Sequence, residues 1–245
     1  ITIWGADVSL DDKDGWEEKS SHSLKIGELF GLDVSFVKSS FRKFINEGIL
    51  TKKVIRRSGD GWWHGFQHGI GIVGHSAPLA HLHGLTEVHI AASFVEGDDV
   101  TCASHPSIDE NLRMASTKVV HNGFDMTRQD KVSNIHRYAT DNEMASVPVK
   151  VCWRSQGAKY CGRCEKCMRT AAEIIAEGGD VASYTLEEFD PVYMREHLIK
   201  DNFFFHTRHW KGVQDRLRRG GMDNETVNSI KWLLDVDFDE VDRTM

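Results

Sequence analysis

The chain has 245 residues, of which 40% are hydrophobic, and its formal net charge is −7 at pH 7. This composition is typical of a globular protein with one large or two small domains, and its acidity argues against broad electrostatic attraction to nucleic acid or to anionic membranes. No apolar run reaches the length of a membrane span and no signal peptide precedes Ile1, so we expect a cytoplasmic protein without a membrane partner.

The first part of the chain predicts two strands separated by helices. The apolar run 1–6 predicts a strand that ends at Asp7, and the polar stretch up to Ser21 predicts a loop. Apolar residues at helical spacing then predict three helices, at about 23–30, 35–46 and 65–82, with Ser35 as an N-cap and Gly48 as a stop. The run 86–92 predicts a second strand, which ends at Ser93.

The alternation of strands and helices continues further along the chain. The patterns predict a weak strand at 119–121, a helix at 128–138, a strand at 147–152 and a helix at 168–177. Strands that alternate with helices predict an α/β fold built on a doubly wound, mainly parallel sheet.

The region after Gly178 predicts an appended set of helices, and we divide the chain into an α/β domain over 1–178 and a helical extension over 179–245. Thr185 and Glu188 have capping-box spacing, and Asp223 precedes an amphipathic run over 227–234. Trp210, Trp232 and the aromatic run 203–205 supply apolar surface, either for packing within the chain or for a homodimer.

Four of the five cysteines form the motif C-x8-C-x2-C-x2-C, which contains Cys152, Cys161, Cys164 and Cys167. Cys-x2-Cys loops close around a metal far more readily than they form disulfides, and four thiolates complete the tetrahedral shell of one zinc ion. Because no position remains for water, the motif predicts a structural zinc knuckle rather than a catalytic zinc. The alternative is a set of buried or redox-active cysteines.

Gly69, Gly71 and Gly74 satisfy G-x-G-x-x-G, the fingerprint of dinucleotide binding, with Glu96 downstream. That fingerprint requires a strand directly before the first glycine, whereas the preceding segment 62–68 does not resemble a buried strand. We therefore interpret the glycines as positions where a buried helix packs closely on the sheet.

Aromatic and histidine side chains cluster just before these glycines. Trp62, Trp63, His64 and His68 predict either a pocket for an aromatic ligand such as a purine or the filling of core and surface, and the sequence leaves both open. His64 and His68 lie one helical turn apart, but Gly65 stands where a zinc protease would carry its glutamate.

Lys131 lies near the start of a predicted helix, where a lysine can meet a phosphate as a point charge. Most lysines are merely solvated, so the chemistry alone does not decide its role.

Four stretches together resemble the PP-loop (N-type) ATP pyrophosphatase superfamily, and most closely its 7-cyano-7-deazaguanine synthase branch, which carries a similarly spaced four-cysteine zinc site. These stretches are the strand ending Trp4-Gly-Ala-Asp7, the segment from Ser76 to Ser93, the helix start Arg128-Gln-Asp-Lys131 and the cysteine motif. The resemblance covers residues 1–172 and is most specific at the cysteines.

This resemblance implies a Rossmann-like sheet that binds ATP and Mg²⁺ at the carboxyl ends of its strands. A carboxylate or carbonyl oxygen of a small-molecule substrate would be adenylated with loss of pyrophosphate, and a nitrogen nucleophile would then displace AMP. Lys131 matches the catalytic lysine near the phosphates, Asp7 and Ser93 match strand ends that face the nucleotide, and the four cysteines match the zinc ligands. Arg163 and Lys166 add positive charge near the substrate or remain solvated.

The family's phosphate loop, Ser-Gly-Gly-x-Asp-Ser, does not occur in this sequence, and Ser58-Gly-Asp-Gly61 is only a superficial echo. The resemblance implies that this loop precedes the strand at 1–6. Three functions therefore stay open: an ATP-dependent ligase, a catalytically inactive nucleotide- or metabolite-binding relative, and a zinc-knuckle interaction protein. Only the third predicts salt-sensitive nucleic-acid binding, through Arg163, Lys166, Arg169 or the cluster 216–219, and the chain's acidity argues against it.

Overall fold

The computed structural model of the chain describes residues 1–55, 61–152, 161–186, 189–200 and 207–244. The chain divides into two compact units, Ile1–Met126 and Thr127–Met245. None of the helices in the described ranges is long and apolar enough to cross a membrane.

Over its described residues the first unit contains five short strands in two sheets. The strands are β1 (Thr2–Trp4), β2 (Phe36–Lys38), β3 (Glu87–Ala91), β4 (Arg113–Met114) and β5 (Thr117–Asn122). β1 pairs in parallel with β2, while β5 lies between β3, to which it is parallel, and β4, to which it is antiparallel. The unit is thus mixed α/β with parallel strands, and a doubly wound sheet stays a prediction.

In the ranges 1–55 and 61–126, the α-helices that accompany these strands are α1 (Lys13–Phe30), α2 (Phe41–Phe44), α3 (Glu47–Leu50), α4 (Ile72–Gly74), α5 (Ala77–Leu82) and α6 (Pro106–Asp109). Two π-helical segments, Thr51–Ile55 and Trp63–Gly71, extend α3 and precede α4. The helical region predicted at 65–82 is therefore present, although it is divided into three pieces.

The predicted loop up to Ser21 is wrong, because α1 already begins at Lys13. The Asp12 carboxylate accepts a hydrogen bond from the Gly15 amide at 2.9 Å and caps the helix. Trp16 stacks on Trp4 of β1 with ring centroids 5.3 Å apart. A single tryptophan on an otherwise polar first half thus supplies the packing that the sequence pattern did not reveal.

The helix predicted at 35–46 is also wrong. Ser35 accepts a hydrogen bond from the Thr2 amide at 2.9 Å and leads into β2 rather than capping a helix. Only the four residues of α2 are helical there, and Gly48 lies inside α3 instead of stopping a helix. Tertiary pairing with β1 outweighs the local helical spacing of the apolar residues.

The second unit is helical over its described residues, with α7 (Arg128–Asp141), α8 (Glu165–Ala176), α9 (Pro191–Lys200), α10 (Thr207–Arg219), α11 (Glu225–Asn228) and α12 (Phe238–Thr244). Two 3₁₀ turns, Val181–Tyr184 and Lys231–Asp235, complete it. α8 is its central element, because every residue of that helix except Lys166 is buried. Met168, Ile175 and Trp210 belong to the main apolar core around it.

The strand predicted at 147–152 is wrong, since residues 147–152 form no ladder with any described part of the chain. The Val147 amide instead donates to the Ser183 carbonyl at 2.8 Å. The predicted capping role of Thr185 is wrong as well, because Thr185 ends the turn Val181–Tyr184 in a left-handed conformation with φ 59°. Glu188 and the aromatic run 203–205 lie outside the described residues.

The strands predicted at 86–92 and 119–121 are confirmed as β3 and β5, and the helices predicted at 128–138 and 168–177 are confirmed as α7 and α8. The amphipathic run 227–234 is helical in two short pieces, α11 and the turn Lys231–Asp235. Helices on both sides of residue 178 share one compact unit, and the division at that residue stays a prediction.

Candidate metal centre

The four cysteines of the motif converge on one point. Their sulfur atoms all lie within 4.8 Å of one another. Cys152 and Cys164 have sulfurs 3.9 Å apart, and those of Cys161 and Cys167 are 3.7 Å apart. A tetrahedron with zinc–sulfur bonds of about 2.3 Å has edges of about 3.8 Å, so the spacing suits a tetrahedral metal ion. It is far too long for disulfides, and all four cysteines are free.

The local structure explains how three of these sulfurs meet. Cys164 is the N-cap residue of α8 and Cys167 lies in the first turn of that helix. The Cys164 amide points at the Cys161 sulfur, 3.4 Å away, which binds the preceding loop to the helix start. Gly162 adopts φ 66° between them, a left-handed turn that glycine forms without steric cost.

The cluster is shielded from water and its thiols influence each other. Cys164 and Cys167 are fully buried, and Cys152 is buried as well. A hydrogen bond from Cys167 lowers the pKa of Cys164 to about 5, whereas the hydrogen bond with Cys164 and burial raise the pKa of Cys167. Burial also raises the pKa of Cys161. A divalent cation at the centre would replace the shared protons and stabilise all four thiolates.

A buried charge network continues from the cysteine cluster along α8, and it was not predicted from the sequence. Glu165, Arg169 and Glu173 follow one another at intervals of four residues, all almost completely buried. Arg169 donates to Glu165 at 3.0 Å, and the Trp210 indole donates to the same carboxylate at 3.0 Å. The spacing of these three charged residues places them on one helix face, but it does not indicate that this face is buried.

Glu173 is the deepest acid of this network. Arg128 of α7 contacts both of its carboxylate oxygens, at 2.8 and 2.9 Å, and also donates to the Thr170 hydroxyl at 2.7 Å. Burial raises the pKa of Glu173, and burial also raises the pKa of Glu165, to about 7. The network therefore joins α7 to α8 through an ion pair and α8 to α10 through the hydrogen bond from the Trp210 indole.

The two basic residues of the cysteine motif have different surroundings. Arg163 is exposed, and its guanidinium lies 5.5 Å from the centre of the Tyr193 ring. Lys166 is half-buried and is the sole residue of α8 that is not fully buried. Both therefore remain within reach of solvent at the end of the helix that bears the cysteines.

The residues predicted to bind the nucleotide are divided between the two units. Asp7 follows β1, is exposed, and accepts a hydrogen bond from Lys19 at 3.3 Å. Ser93 follows β3 and is also exposed. Lys131 lies in the first turn of α7 in the other unit, half-buried, so its association with Asp7 and Ser93 stays a prediction.

The four residues predicted to form an aromatic pocket lie on or next to the π-helical segment Trp63–Gly71. Trp62 is buried and stacks on Phe66 at 4.5 Å, and Trp63 is half-buried with the Arg42 guanidinium 5.4 Å from its ring. His64 is exposed, while the Nδ1 atom of His68 lies 3.4 Å from the Cys102 sulfur. Trp62 thus fills core, whereas Trp63 and His64 keep accessible surface.

Near the carboxyl end of β5, the first unit also contains a buried contact between a histidine and a carboxylate that the sequence did not reveal. His121 Nδ1 lies 2.8 Å from the Asp109 carboxylate, with both side chains almost completely buried. The Ser104 hydroxyl donates to the same carboxylate at 3.2 Å. These groups fix the loops that follow β3 and precede α6.

Comparison of the chain with protein-family models, with curated proteins and with solved structures finds no match.

Proposed function

We propose that this protein is an ATP-dependent ligase of the PP-loop type, built around a structural zinc ion. The observation that carries the proposal is the convergence of the four cysteine sulfurs within 4.8 Å of one another. The cysteine motif is the most specific part of the resemblance to the 7-cyano-7-deazaguanine synthase branch. Its folding into one tetrahedral cluster is what membership of that branch requires.

Zinc is the metal that fits this donor set. Four thiolates with tetrahedral spacing favour zinc or an iron–sulfur centre over magnesium or calcium, which prefer oxygen ligands. All four coordination positions are supplied by the chain, so the ion has no open position and serves the fold. Elemental analysis of the purified protein should give one zinc per chain, and an absence of bound metal would contradict this part of the proposal.

The parallel strands of the first unit support a nucleotide site at their carboxyl ends. In open α/β sheets, ligands bind outside the carboxyl ends of parallel strands. Asp7 follows β1 in one sheet and Ser93 follows β3 in the other, and both side chains are exposed. A carboxylate or a hydroxyl at the carboxyl end of a parallel strand suits contacts with a ribose or, through Mg²⁺, with phosphates.

The proposed chemistry has two steps. A carboxylate oxygen of the substrate attacks the α-phosphorus of ATP, the bond to the bridging oxygen breaks, and pyrophosphate leaves with Mg²⁺. A nitrogen nucleophile then attacks the activated carbonyl carbon of the acyl adenylate, releases AMP and loses a proton to form an amide. Both steps concentrate negative charge on phosphate oxygens, which positioned cations stabilise.

We assign to Lys131 the stabilisation of the negative charge that develops on the phosphate oxygens. The start of α7 is capped from within the chain, since Thr127 and Asp130 form a reciprocal capping box. The first-turn amide of Asp130 is therefore occupied, and a phosphate near this end would be met by the ammonium group of Lys131 as a point charge.

The experiment is pyrophosphate release from ATP and Mg²⁺ by the protein of the complete gene, with candidate carboxylates and ammonia. Release that depends on the carboxylate is expected, and Lys131→Met should lower it at least tenfold at unchanged zinc content. Lys118→Met is the matched control, because Lys118 is an exposed lysine of β5 paired with Glu87 at 2.7 Å.

One result would contradict the role of Lys131 and another the ligase. Pyrophosphate release that is equal in Lys131→Met and Lys118→Met would remove Lys131 from the site. Tight ATP binding without any release of pyrophosphate would identify a nucleotide-binding relative that has lost the reaction.

A further inference from the structure

At the carboxyl end of β2, a serine and a histidine form a contact that neither the metal cluster nor the ligase chemistry uses. The Ser39 hydroxyl oxygen lies 2.7 Å from Nε2 of His75, the residue that follows α4. This distance is the one expected between a nucleophile and its general base. Both side chains are half-buried, so water and small molecules can reach the pair.

The other ring nitrogen of His75 fixes the direction of this hydrogen bond. Nδ1 of His75 contacts the carbonyl oxygen of Gly71, which accepts hydrogen bonds and donates none. Nδ1 therefore carries the proton, and in the neutral ring Nε2 carries the free lone pair. Ser39 must then donate its hydroxyl proton to Nε2, which is the arrangement that activates a serine as a nucleophile.

The end of β1 holds the backbone of Ser39 in place. The Ser39 amide donates to the Trp4 carbonyl at 2.8 Å. Gly5 adopts φ 98°, and a Cβ atom there would lie 1.9 Å from the Ser39 carbonyl oxygen, so a side chain at residue 5 would collide with Ser39. The serine therefore keeps a fixed position at the end of the parallel pair β1–β2.

Phe41, at the start of α2, contacts both members of the pair. Its amide donates to the Ser39 hydroxyl oxygen at 3.2 Å, which leaves the hydroxyl proton for His75. Its ring meets the His75 ring edge to face, with the ring centroids 6.0 Å apart. Because the Gly71 carbonyl holds Nδ1 at the same time, the imidazole is oriented by two groups besides the serine.

A second serine–histidine contact in the first unit has the features of local capping. The Ser107 hydroxyl lies 2.7 Å from His105 Nδ1, and the Ser107 amide donates to that same nitrogen at 3.1 Å. His105 is the N-cap residue of α6, so this contact closes a helix start. The contact between Ser39 and His75 joins residues that are 36 positions apart, and it caps neither α2 nor α4.

The place of the pair in the sheet is an independent observation. β1 and β2 are parallel, and Ser39 directly follows Lys38, the last residue of β2. In open α/β sheets, ligands bind outside the carboxyl ends of parallel strands. The hydroxyl and its base therefore lie where such a sheet receives a small molecule.

We propose that Ser39 and His75 are a catalytic pair that hydrolyses small carboxylic esters through an acyl-serine. The Ser39 oxygen attacks the carbonyl carbon while its proton passes to His75 Nε2. The bond between the carbonyl carbon and the alcohol oxygen then breaks, and the imidazolium gives its proton to that oxygen. Water next attacks the acyl-serine, His75 takes a proton from the water and returns it to the Ser39 oxygen, and the carboxylic acid leaves.

The test uses the metal-loaded full chain without ATP or Mg²⁺, so it does not depend on the proposed ligase. An alkyl fluorophosphonate should label Ser39 of the unsubstituted protein, and peptide mass spectrometry should show that Ser39 reacts before Ser40 and Ser107. p-Nitrophenyl acetate is the ester substrate, and Ser39→Ala should remove most of the p-nitrophenol release.

The decisive variant is His75→Gln, which removes the base but keeps a polar group near the position of Nε2. Labelling of Ser39 by the fluorophosphonate should slow by about a hundredfold, as is usual for loss of a general base. Ser40→Ala is the matched control, because Ser40 is the adjacent exposed serine and its side chain makes no capping hydrogen bond. It should change the labelling rate of Ser39 less than twofold. Thermal unfolding checks that each variant is folded.

Three results would overturn the proposal: labelling of Ser39 no faster than that of Ser40 in the unsubstituted protein, equal p-nitrophenol release by Ser39→Ala, or unchanged labelling of Ser39 in folded His75→Gln. The first result needs no substitution, so it decides the matter even where a variant fails to fold. Failure of ATP-dependent pyrophosphate release would leave all three expectations unchanged.

Discussion

The two units of this protein bury charge in different amounts and by different means. In the first unit the described ion pairs lie mostly on the surface, such as Lys118–Glu87, and a single buried contact joins His121 to Asp109 within the described residues. In the second unit, acids and arginines run through the centre of the core along α8. The difference indicates that ionic contacts in the core help to specify the fold of the second unit. These contacts begin next to the cysteine cluster.

The apolar surfaces of the units differ in the same sense. Phe44 and Leu82 of the first unit are 84% and 74% exposed, whereas Trp210, Met194 and Leu233 of the second unit are fully buried. The strands of the first unit are short, and in its longest helix, α1, only Gly15 and Gly27 are buried. The buried helix α8 gives the second unit a continuous core on which ionic contacts can be ordered.

The largest effect is expected from removal of the metal cluster. Cys164→Ser should abolish stoichiometric zinc and destabilise the second unit by several kcal/mol, because the binding energy of a structural zinc ion is folding energy. Thermal unfolding with elemental analysis measures both. Cys102→Ser is the control, since Cys102 is the cysteine outside the cluster, and it should leave zinc content unchanged.

That experiment also tests whether the two units are independent. Hydrogen exchange in β3 and β5 should change little in Cys164→Ser, while amides of α8 lose protection. Equal loss in both regions would mean that the units unfold together and that the contrast between them has no energetic basis.

A smaller effect is expected from the ion pairs, and here the two units can be compared directly. Arg128→Met removes the cation that contacts buried Glu173 at 2.8 Å, and it should cost about 3 kcal/mol, since the buried carboxylate keeps only the longer ion pair with Arg169 at 4.0 Å. Lys118→Met breaks an exposed pair of similar length, 2.7 Å, and should not change the denaturation midpoint measurably. Similar losses in the two variants would show that burial does not distinguish these pairs.

The smallest effect concerns pH and Glu177, which follows α8. Burial alone would raise the pKa of this carboxyl, but hydrogen bonds from Ser133, Arg216 and Gln129 outweigh burial and lower the pKa below its usual value of 4.5. A carboxyl with a lowered pKa stabilises the fold above its unfolded pKa, and that stabilisation is lost as the pH falls below about 4.5.

Glu177→Gln should therefore cost about 1–3 kcal/mol at pH 7, and the difference from the unsubstituted protein should shrink as the pH falls towards 3. Urea denaturation at a series of pH values gives the comparison. A constant difference across that range would exclude the ionised carboxylate as its cause.

The sequence was most informative where chemistry requires a fixed spacing. The cysteine motif predicted a cluster that the structure forms, because four ligands must reach one point within a few ångströms. β3, β5, α7 and α8 were predicted because each carries a clear period or cap. The fold around them was less predictable: α1 depends on the stacking of Trp16 on Trp4, and β2 depends on pairing with β1.

The buried network could not be predicted, for a physical reason. Glutamate and arginine at helical spacing usually form a solvated face, and only the packing of α7 and α10 against α8 buries Glu165, Arg169 and Glu173.

The position of Cys164 at the first cap of α8 has a consequence for kinetics. Nucleation of a helix is unfavourable, because several backbone dihedrals must be fixed before the first hydrogen bond forms. An ion bound by Cys161, Cys164 and Cys167 would fix those dihedrals in advance, and α8 would then grow from the metal into the core. Refolding of the second unit should accordingly speed up with the concentration of free zinc, so the ion would act as a nucleus for folding.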